Sequence, residues 1–395
     1  MNSGVLYISY SGMLEPLGQS QVLAYQERLA ASRPIHLISF ERSEDWENSA
    51  DRDAVAERIR RAGISWHPLR YHKRPAVIAT AWDIARGAIL GWWLAWRNGL
   101  RIVHARSYIS SVMALLIKRL TGASFVFDMR GFWADERVDG GLWPAGGLLY
   151  RVAKWFEKKF LESADHIVSL THAAAKEIRK LPRHDSRVTP ISVIPTCADL
   201  ERFVPRGGAP RDFVLGYVGS AGTWYLFEQV LCAFKLLRAR RPNARLLIVN
   251  RNQHDYIRKC LSSAHLPPEW VELRSASHME VPAIMAGMSA GIFFYKPSYS
   301  RVACSPTKLG EFLACGIPCL SNAGVGDMAA ILQKEEVGVA VGAFEPGVLD
   351  AAIGRLLEIA EDPSSRARCV RAARIHFSLA EGVKRYEAIY SALAS

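Results

Sequence analysis

The chain has 395 residues, half of them hydrophobic and 22% charged, which excludes an intrinsically disordered protein and gives enough length for two domains that each bury a core. The net charge of +12 asks for an anionic partner, but the excess is spread along the chain and no nucleic-acid motif carries it, so nucleic acid is set aside as a partner. The seven cysteines, at positions 197, 232, 260, 304, 315, 319 and 369, are odd in number and form no Cys-x-x-Cys, so they read as reduced core thiols and not as disulfides or metal ligands.

The N-terminus enters a strand-like run at once, Val5–Tyr10, with no basic leader, and no signal peptide is expected. Apolar runs follow at Ile35–Phe40, Arg101–Ala105, Phe125–Met129, His166–Leu170 and Ser192–Pro195. Helical patterns lie between them at Gln21–Ala31, Asp51–Ala62, Ile109–Leu120 and Leu148–Glu162. The longest apolar stretch, Ala76 to Trp96, is interrupted by Asp83 and Arg86 and falls short of a clean spanning helix. The second half repeats the plan. Strands are predicted at Phe213–Gly219, Arg245–Asn250, Val271–Ser275, Ala290–Tyr295, Pro318–Ser321 and Val337–Gly342, between helices such as Leu226–Arg241, Glu280–Met288 and Ser305–Cys315. This alternation predicts an α/β protein of two doubly wound parallel-sheet domains. Gly207-Gly208-Ala209-Pro210, just after Pro205, is the expected linker, dividing 1–205 from 206–377. The carboxyl ends of both sheets would face a cleft, where ligands bind in this architecture.

The segment Cys304–Pro318 carries the most chemistry. Ser305 is a good N-cap residue, Pro306 suits the first helical position and Gly316 can end the helix. Free N–H groups and the helix dipole favour an anion at that end, and Lys308 adds a full charge one turn in. Glu311 lies on the same face, where a carboxylate can accept two hydrogen bonds from a vicinal diol such as a ribose. An ordinary amphipathic helix with a surface Lys–Glu pair has the same pattern.

This helix opening, Pro306-Thr307-Lys308 with Glu311, and the Ala314-Cys315-Gly316-Ile317-Pro318 turn resemble the donor-site signature of the glycosyltransferase group 4 family, which has the GT-B fold. The resemblance extends over nearly the whole length. Tyr7-Ile8-Ser9-Tyr10 followed by Pro16-Leu17-Gly18-Gln19 looks like the family's first strand and acceptor-side glycine loop. Asp128-Met129-Arg130-Gly131-Phe132-Trp133, Ala164-Asp165-His166-Ile167, Val193-Ile194-Pro195 and Gly216-Tyr217-Val218-Gly219-Ser220 match later family stretches in order and spacing. The last stretch, 378–395, looks like the family's terminal helix that crosses back onto the first domain.

The resemblance implies a nucleotide-diphosphate sugar as co-substrate and no cofactor. Donor contacts are implied at Gly219, Ser220, Thr223, Asn250 and Arg301, and at Ser305, Pro306, Thr307, Lys308 and Glu311. Acceptor contacts are implied at Gly18, Gln19 and Arg130. The sequence departs from the family in two places. Ala303 stands where the first Glu of the Glu-x7-Glu motif is common, and Ser220–Tyr225 replaces the run that usually supplies an Arg and a Lys to the diphosphate. Cleaving a sugar–diphosphate bond passes through an oxocarbenium-like state, and stabilising charge on the departing phosphate accelerates it most. Lys308 is assigned to that charge and Asp128, at a strand's end, to the neighbourhood of the acceptor hydroxyl; capping or an ion pair with Arg130 is an equal reading for Asp128. His104, at another strand end, reads as structural. The one Asp-x-Asp, Asp51-Arg52-Asp53, sits in a charged helical run and reads as a solvated face, so no metal site is expected.

In the first domain Arg58, Arg60, Arg61, Arg70, His72, Lys73 and Arg74 precede Trp82, Trp92, Trp93 and Trp96. Basic residues beside interfacial tryptophans suit an anionic membrane surface, while burial in the core is an equal reading of the tryptophans. Together these features predict a cytosolic, peripherally membrane-associated, metal-independent retaining glycosyltransferase of cell-surface polysaccharide synthesis, acting on a lipid-linked or nascent saccharide. A sugar-nucleotide epimerase of the same fold and a non-catalytic nucleotide-sugar-binding protein are the alternatives.

Overall fold

The computed structural model describes residues 3–181, 189–207, 212–277 and 279–394, so Gly208, Ala209 and Pro210 of the expected linker lie outside the described residues. The chain divides into two compact units, Met1–Pro195 with Leu379–Ser395, and Thr196–Ser378.

The first unit opens with β1 (Val5–Ser9), buried at every position, and a helical stretch in three pieces: α1 (Pro16–Gly18), a π-helical turn (Gln19–Leu23) and α2 (Ala24–Leu29). β2 (Ile35–Glu41), α3 (Ser43–Glu47), α4 (Ser49–Arg61) and β3 (Ser65–Arg70) follow. Next come α5 (Ala76–Asn98), β4 (Ile102–Arg106), α6 (Ser107–Thr121) and β5 (Ser124–Asp128). After α7 (Trp133–Asp139) and α8 (Leu148–Ser163), the sheet is completed by β6 (His166–Ser169), α9 (His172–Lys180) and β7 (Ile191–Val193). The described strands are parallel in the order β3-β2-β1-β4-β5-β6-β7. That order reverses between β1 and β4, and the register sets Ser9 between Ser39 and Arg106 at the carboxyl edge.

The strand β3 has no counterpart among the predicted runs. Ser65-Trp66-His67-Pro68-Leu69-Arg70 is exposed or half-buried throughout and sits on a sheet edge, where a Pro is tolerated and no continuous apolar run is needed. Its pairing with β2, from His36↔Ser65 to Glu41↔Arg70, makes it a strand.

The second unit runs β8 (Val214–Val218), α10 (Phe227–Arg240), β9 (Arg245–Val249), α11 (His254–Ser263), β10 (Val271–Arg274) and α12 (Val281–Met285). It continues with β11 (Ala290–Ile292), a 3-10 helix (Tyr299–Ala303), α13 (Thr307–Ala314), β12 (Cys319–Asn322), α14 (Met328–Lys334) and β13 (Gly338–Val341). α15 (Pro346–Glu361) and α16 (Ser365–Phe377) close it. Its parallel order is β10-β9-β8-β11-β12-β13, reversing between β8 and β11. Phe227, Phe234, Phe293 and Phe312 are buried in its core.

The last helix, α17 (Leu379–Ala394), belongs to the first unit. Tyr386 OH donates to Asp128 Oδ2 at 3.1 Å, Tyr390 OH pairs with His104 Nδ1, and Arg385 donates to the Val193 carbonyl at 2.7 Å.

No disulfide joins the cysteines among the described residues, and Cys197, Cys315, Cys319 and Cys369 are core residues as expected. Cys232 is exposed and Cys260 and Cys304 half-buried, which corrects the reading of all seven as core. Cys232 and Cys260 lie on amphipathic helices whose outer faces reach water. No helix among the described residues is long and apolar enough to cross a membrane.

Candidate functional site

In the second unit the strand order reverses between β8 and β11, and the first turn after β8 meets the start of α13. Gly219 has φ +105°, and a Cβ there would come within 3.2 Å of Lys308 Nζ, so glycine lets the turn close over the ammonium. Asn250, just after β9, holds this turn. Its Nδ2 donates to the Gly219 carbonyl at 2.9 Å and its Oδ1 accepts from the Gln253 N–H at 2.6 Å, while Gln253 Oε1 accepts from the Ala221 N–H at 2.8 Å. Ser220 takes part through its carbonyl, which accepts at 2.5 Å from Tyr217 OH, and Thr223 follows with a left-handed φ of +53°.

Lys308 Nζ lies 4.1 Å from the centre of the Tyr225 ring, 5.4 Å from Phe293 and 5.5 Å from Tyr217, and this buried nitrogen has no hydrogen-bond partner among the described residues. Arg301 is also buried, its guanidinium 4.5 Å over the Trp224 ring and its Nε unsatisfied. Ring contacts contribute on the order of 1–2 kcal/mol each, whereas removing an ion from water costs several, so the aromatic cage alone does not offset the burial. A bound anion beside these cations would. One turn beyond, burial pushes the Glu311 carboxyl up to about 7 against the pull of Lys308 and Arg202.

At the carboxyl edge of the first unit's sheet, Asp128, His104, Arg106 and Arg130 form a buried polar cluster. Asp128 is 1% exposed, with Oδ1 3.7 Å from Arg130 and Oδ2 3.5 Å from His104 Nε2. Burial opposes its ionisation, but Arg130, then His104 and Arg106, outweigh that and hold the carboxyl below its usual range. Burial in turn lowers His104, despite Asp128. Arg130 has a left-handed φ of +53°, and Arg106 is buried with its Nε unpartnered. Nearby, a Cβ on Gly18 would fall 1.9 Å from the Gly12 carbonyl oxygen, so only glycine lets α1 pack on that loop. Gln19 reaches back to the Leu14 carbonyl at 3.4 Å.

Two family models account for most of the chain. One described as a glycosyl transferase 4-like domain matches residues 19–195, and one described as glycosyl transferases group 1 matches residues 201–376. The chain belongs to the group 4 glycosyltransferases. No curated protein matches it by sequence. Among solved structures it is similar to sucrose-phosphate synthase from Thermosynechococcus elongatus, with 15% identity, 99% of each chain covered and a TM-score of 0.73. It is also similar to HepE of Anabaena in complex with UDP-glucose, with 14% identity, 98% and 99% covered and a TM-score of 0.65. A third is WaaG, a glycosyltransferase involved in lipopolysaccharide biosynthesis, with 15% identity, 95% and 97% covered and a TM-score of 0.63. The fold is GT-B, and the protein is a transferase.

Within the transferase's second unit, Lys308 lies against Gly219 and the Tyr225 ring and Arg301 over the neighbouring Trp224 ring, with Glu311 one helical turn on from Lys308. Asn250 is spent on shaping the turn. Ser305 is not the N-cap: α13 begins at Thr307 with Pro306 in the capping position, so Ser305 lies one residue too early to cap and Pro306 one residue before the first helical position. The Ser305 hydroxyl and carbonyl instead engage the Thr196 hydroxyl. Ala303 is 3% exposed inside the 3-10 helix. Asp51 bonds Asn48 and Asp53 pairs with Arg52 on exposed α4, and among the described residues no group of three or more His, Cys, Asp or Glu is placed to hold a metal. Sequence reasoning missed Arg106, Tyr225 and Trp224. It also missed Glu41, whose buried carboxylate accepts from the Met13 N–H at 2.8 Å, the Leu14 N–H at 3.2 Å and the Ser39 hydroxyl at 2.5 Å, fixing the glycine loop. A charged residue ending an otherwise apolar strand is the signal that marks both Glu41 and Arg106.

Proposed function

We propose that the transferase moves a sugar from a nucleoside-diphosphate sugar to a lipid-linked or nascent saccharide in cell-surface polysaccharide synthesis, without a metal and with retention of anomeric configuration, at the inner face of the cell membrane. The observation that carries the donor side is the pair of buried, unsatisfied cations, Lys308 Nζ and Arg301 Nε, beside the Gly219 turn. A diphosphate is the anion whose charge and size suit that position at a strand-order reversal.

As the sugar–phosphate bond breaks, negative charge grows on the leaving oxygen, and the buried Lys308 ammonium stabilises it. The departing phosphate oxygen can take the proton of the incoming hydroxyl, so no separate strong base is required. Glu311 accepts the ribose diol. Asp128, buried and held by Tyr386, acts as a positioning group that fixes Arg130 on the acceptor side. HepE is described with UDP-glucose and WaaG with lipopolysaccharide synthesis, which supports this substrate class.

Membrane association is supported by α5: Trp82 is 58% and Trp96 72% exposed, and Trp92 and Trp93 are also exposed. Tryptophans left in water by the fold suit an interface. Of the basic residues before them, Arg58 pairs with Glu27 while Arg60 and Arg61 share Glu57, so most of that charge is offset and Arg70, Lys73 and Arg74 carry the attraction for anionic lipid. The test is thermal stabilisation of the purified protein across a panel of nucleotide-sugars, followed by transfer assays with the stabilising donor. A panel in which none shifts the midpoint would overturn the donor reading.

A further inference from the structure

A groove of about 680 Å³ lies wholly within the first unit, at the point where strand order reverses between β1 and β4. That is the size range of a small-molecule site. Its two ends differ in chemistry. The inner end is lined by Arg106 and Arg130, and the outer end by Val77 and Ile84 of α5 with Leu149 and Val152 of α8. Val77, Leu149 and Val152 are also exposed, so the apolar wall continues onto an apolar outer surface that includes Leu148 and Trp155.

The inner end has more positive charge than its surroundings neutralise. Arg106 and Arg130 share one carboxylate, Asp128; it lies 3.7 Å from Arg130 and leads the groups that outweigh burial there, whereas at Arg106 burial and the neighbouring Arg130 charge push the guanidinium down. Arg106 is 9% exposed and its Nε has no hydrogen-bond partner among the described residues. The other arginines lining the groove are accounted for: Arg42 pairs with Glu15 at 3.1 Å, and Arg137 covers the Trp133 ring at 5.3 Å. A buried guanidinium left short of partners in a groove that also has an apolar wall from α5 and α8 is matched by a ligand with an anionic group at one end and hydrocarbon at the other.

We propose that this groove seats the lipid end of the acceptor, a single-chain isoprenoid-type phosphate or diphosphate ester, with the phosphate at Arg106 and Arg130 and the first part of the chain along α5 and α8. The inference rests on the reading of the acceptor as lipid-linked. It adds that the enzyme recognises the phosphate–hydrocarbon junction itself, so that a free saccharide of the same sequence is a poorer acceptor.

Farnesyl phosphate, titrated calorimetrically into the full-length protein below its micellar concentration, is the probe. Binding is expected at least tenfold tighter than for farnesol or for inorganic phosphate, because each control lacks one half of the match. Arg106→Gln should weaken it at least tenfold. Val152→Asp, at an exposed position where folding is not at stake, should do the same by placing an anion on the apolar wall. Dihexanoylphosphatidylglycerol, with two chains and a phosphodiester, is expected not to compete, and full competition would overturn the assignment in favour of a bilayer phospholipid. Equal affinity for farnesol and farnesyl phosphate, or no change in either variant, overturns it as well. Transfer to a lipid-linked acceptor with unchanged KM in both variants overturns the groove while the functional reading stands. Farnesyl phosphate binding that both variants lose, in a protein that glycosylates only free saccharides, supports the groove as a lipid-phosphate site and overturns the functional reading.

Discussion

Glu311 offers a test in which stability and binding move in opposite directions. Burial raises its carboxyl from 4.5 to about 7, outweighing Lys308 and Arg202. The folded state therefore binds a proton more tightly than the unfolded chain, so the cost of carrying the charge is absent below pH 4.5, grows through the interval to 7 and is complete above it. At about 1.4 kcal/mol per pH unit the full interval corresponds to about 3.5 kcal/mol, and partial solvent access reduces this to about 2–3. Glu311→Gln keeps the shape and removes the charge. Urea unfolding at pH 5, 6, 7 and 8 should show the variant gaining stability over wild type progressively, with little difference at pH 5 and about 2–3 kcal/mol at pH 8. Donor affinity should change the other way, because the ribose diol donates to the carboxylate: wild-type binding tightens from pH 6 to 8, and the variant binds more weakly with no such slope. A stability gain that is the same at pH 5 and pH 8 would refute the argument, since an uncharged cause would then be at work.

Lys308→Met should lower kcat by about 10²–10³ with KM little changed, because the ammonium matters most when leaving-group charge develops. Its thermal midpoint should hold or rise, as an unpaired buried charge is removed, and steady-state kinetics with intact kcat would argue against the role. Activity should persist in EDTA, and loss restored by magnesium or manganese would point to a metal site the donor set here does not account for. Binding to anionic vesicles should fall as salt rises and fall further when Arg70, Lys73 and Arg74 are neutralised together, each contributing on the order of 1 kcal/mol; indifference to such vesicles at low salt would favour a soluble acceptor.

The two parallel sheets, the order of their strands along the chain and the Lys308–Glu311 helix were legible in the sequence, because buried parallel strands read as apolar runs and a helix start has local chemistry. The edge strand β3 was not, since no position on it is fully buried and only pairing with β2 defines it. Length and apolar content left the α5 tryptophans equally suited to core or surface; packing decided, turning Ala79, Gly87, Gly91 and Leu94 inward and leaving Trp82 and Trp96 in water. Asp128 was placed correctly at the end of its strand, but its confinement by Tyr386 depends on a helix more than 250 residues away in sequence. The unsatisfied state of Lys308, Arg301 and Arg106 is likewise invisible in one dimension. A sequence fixes which groups carry charge, but whether that charge is paired depends on which distant elements the fold brings beside it.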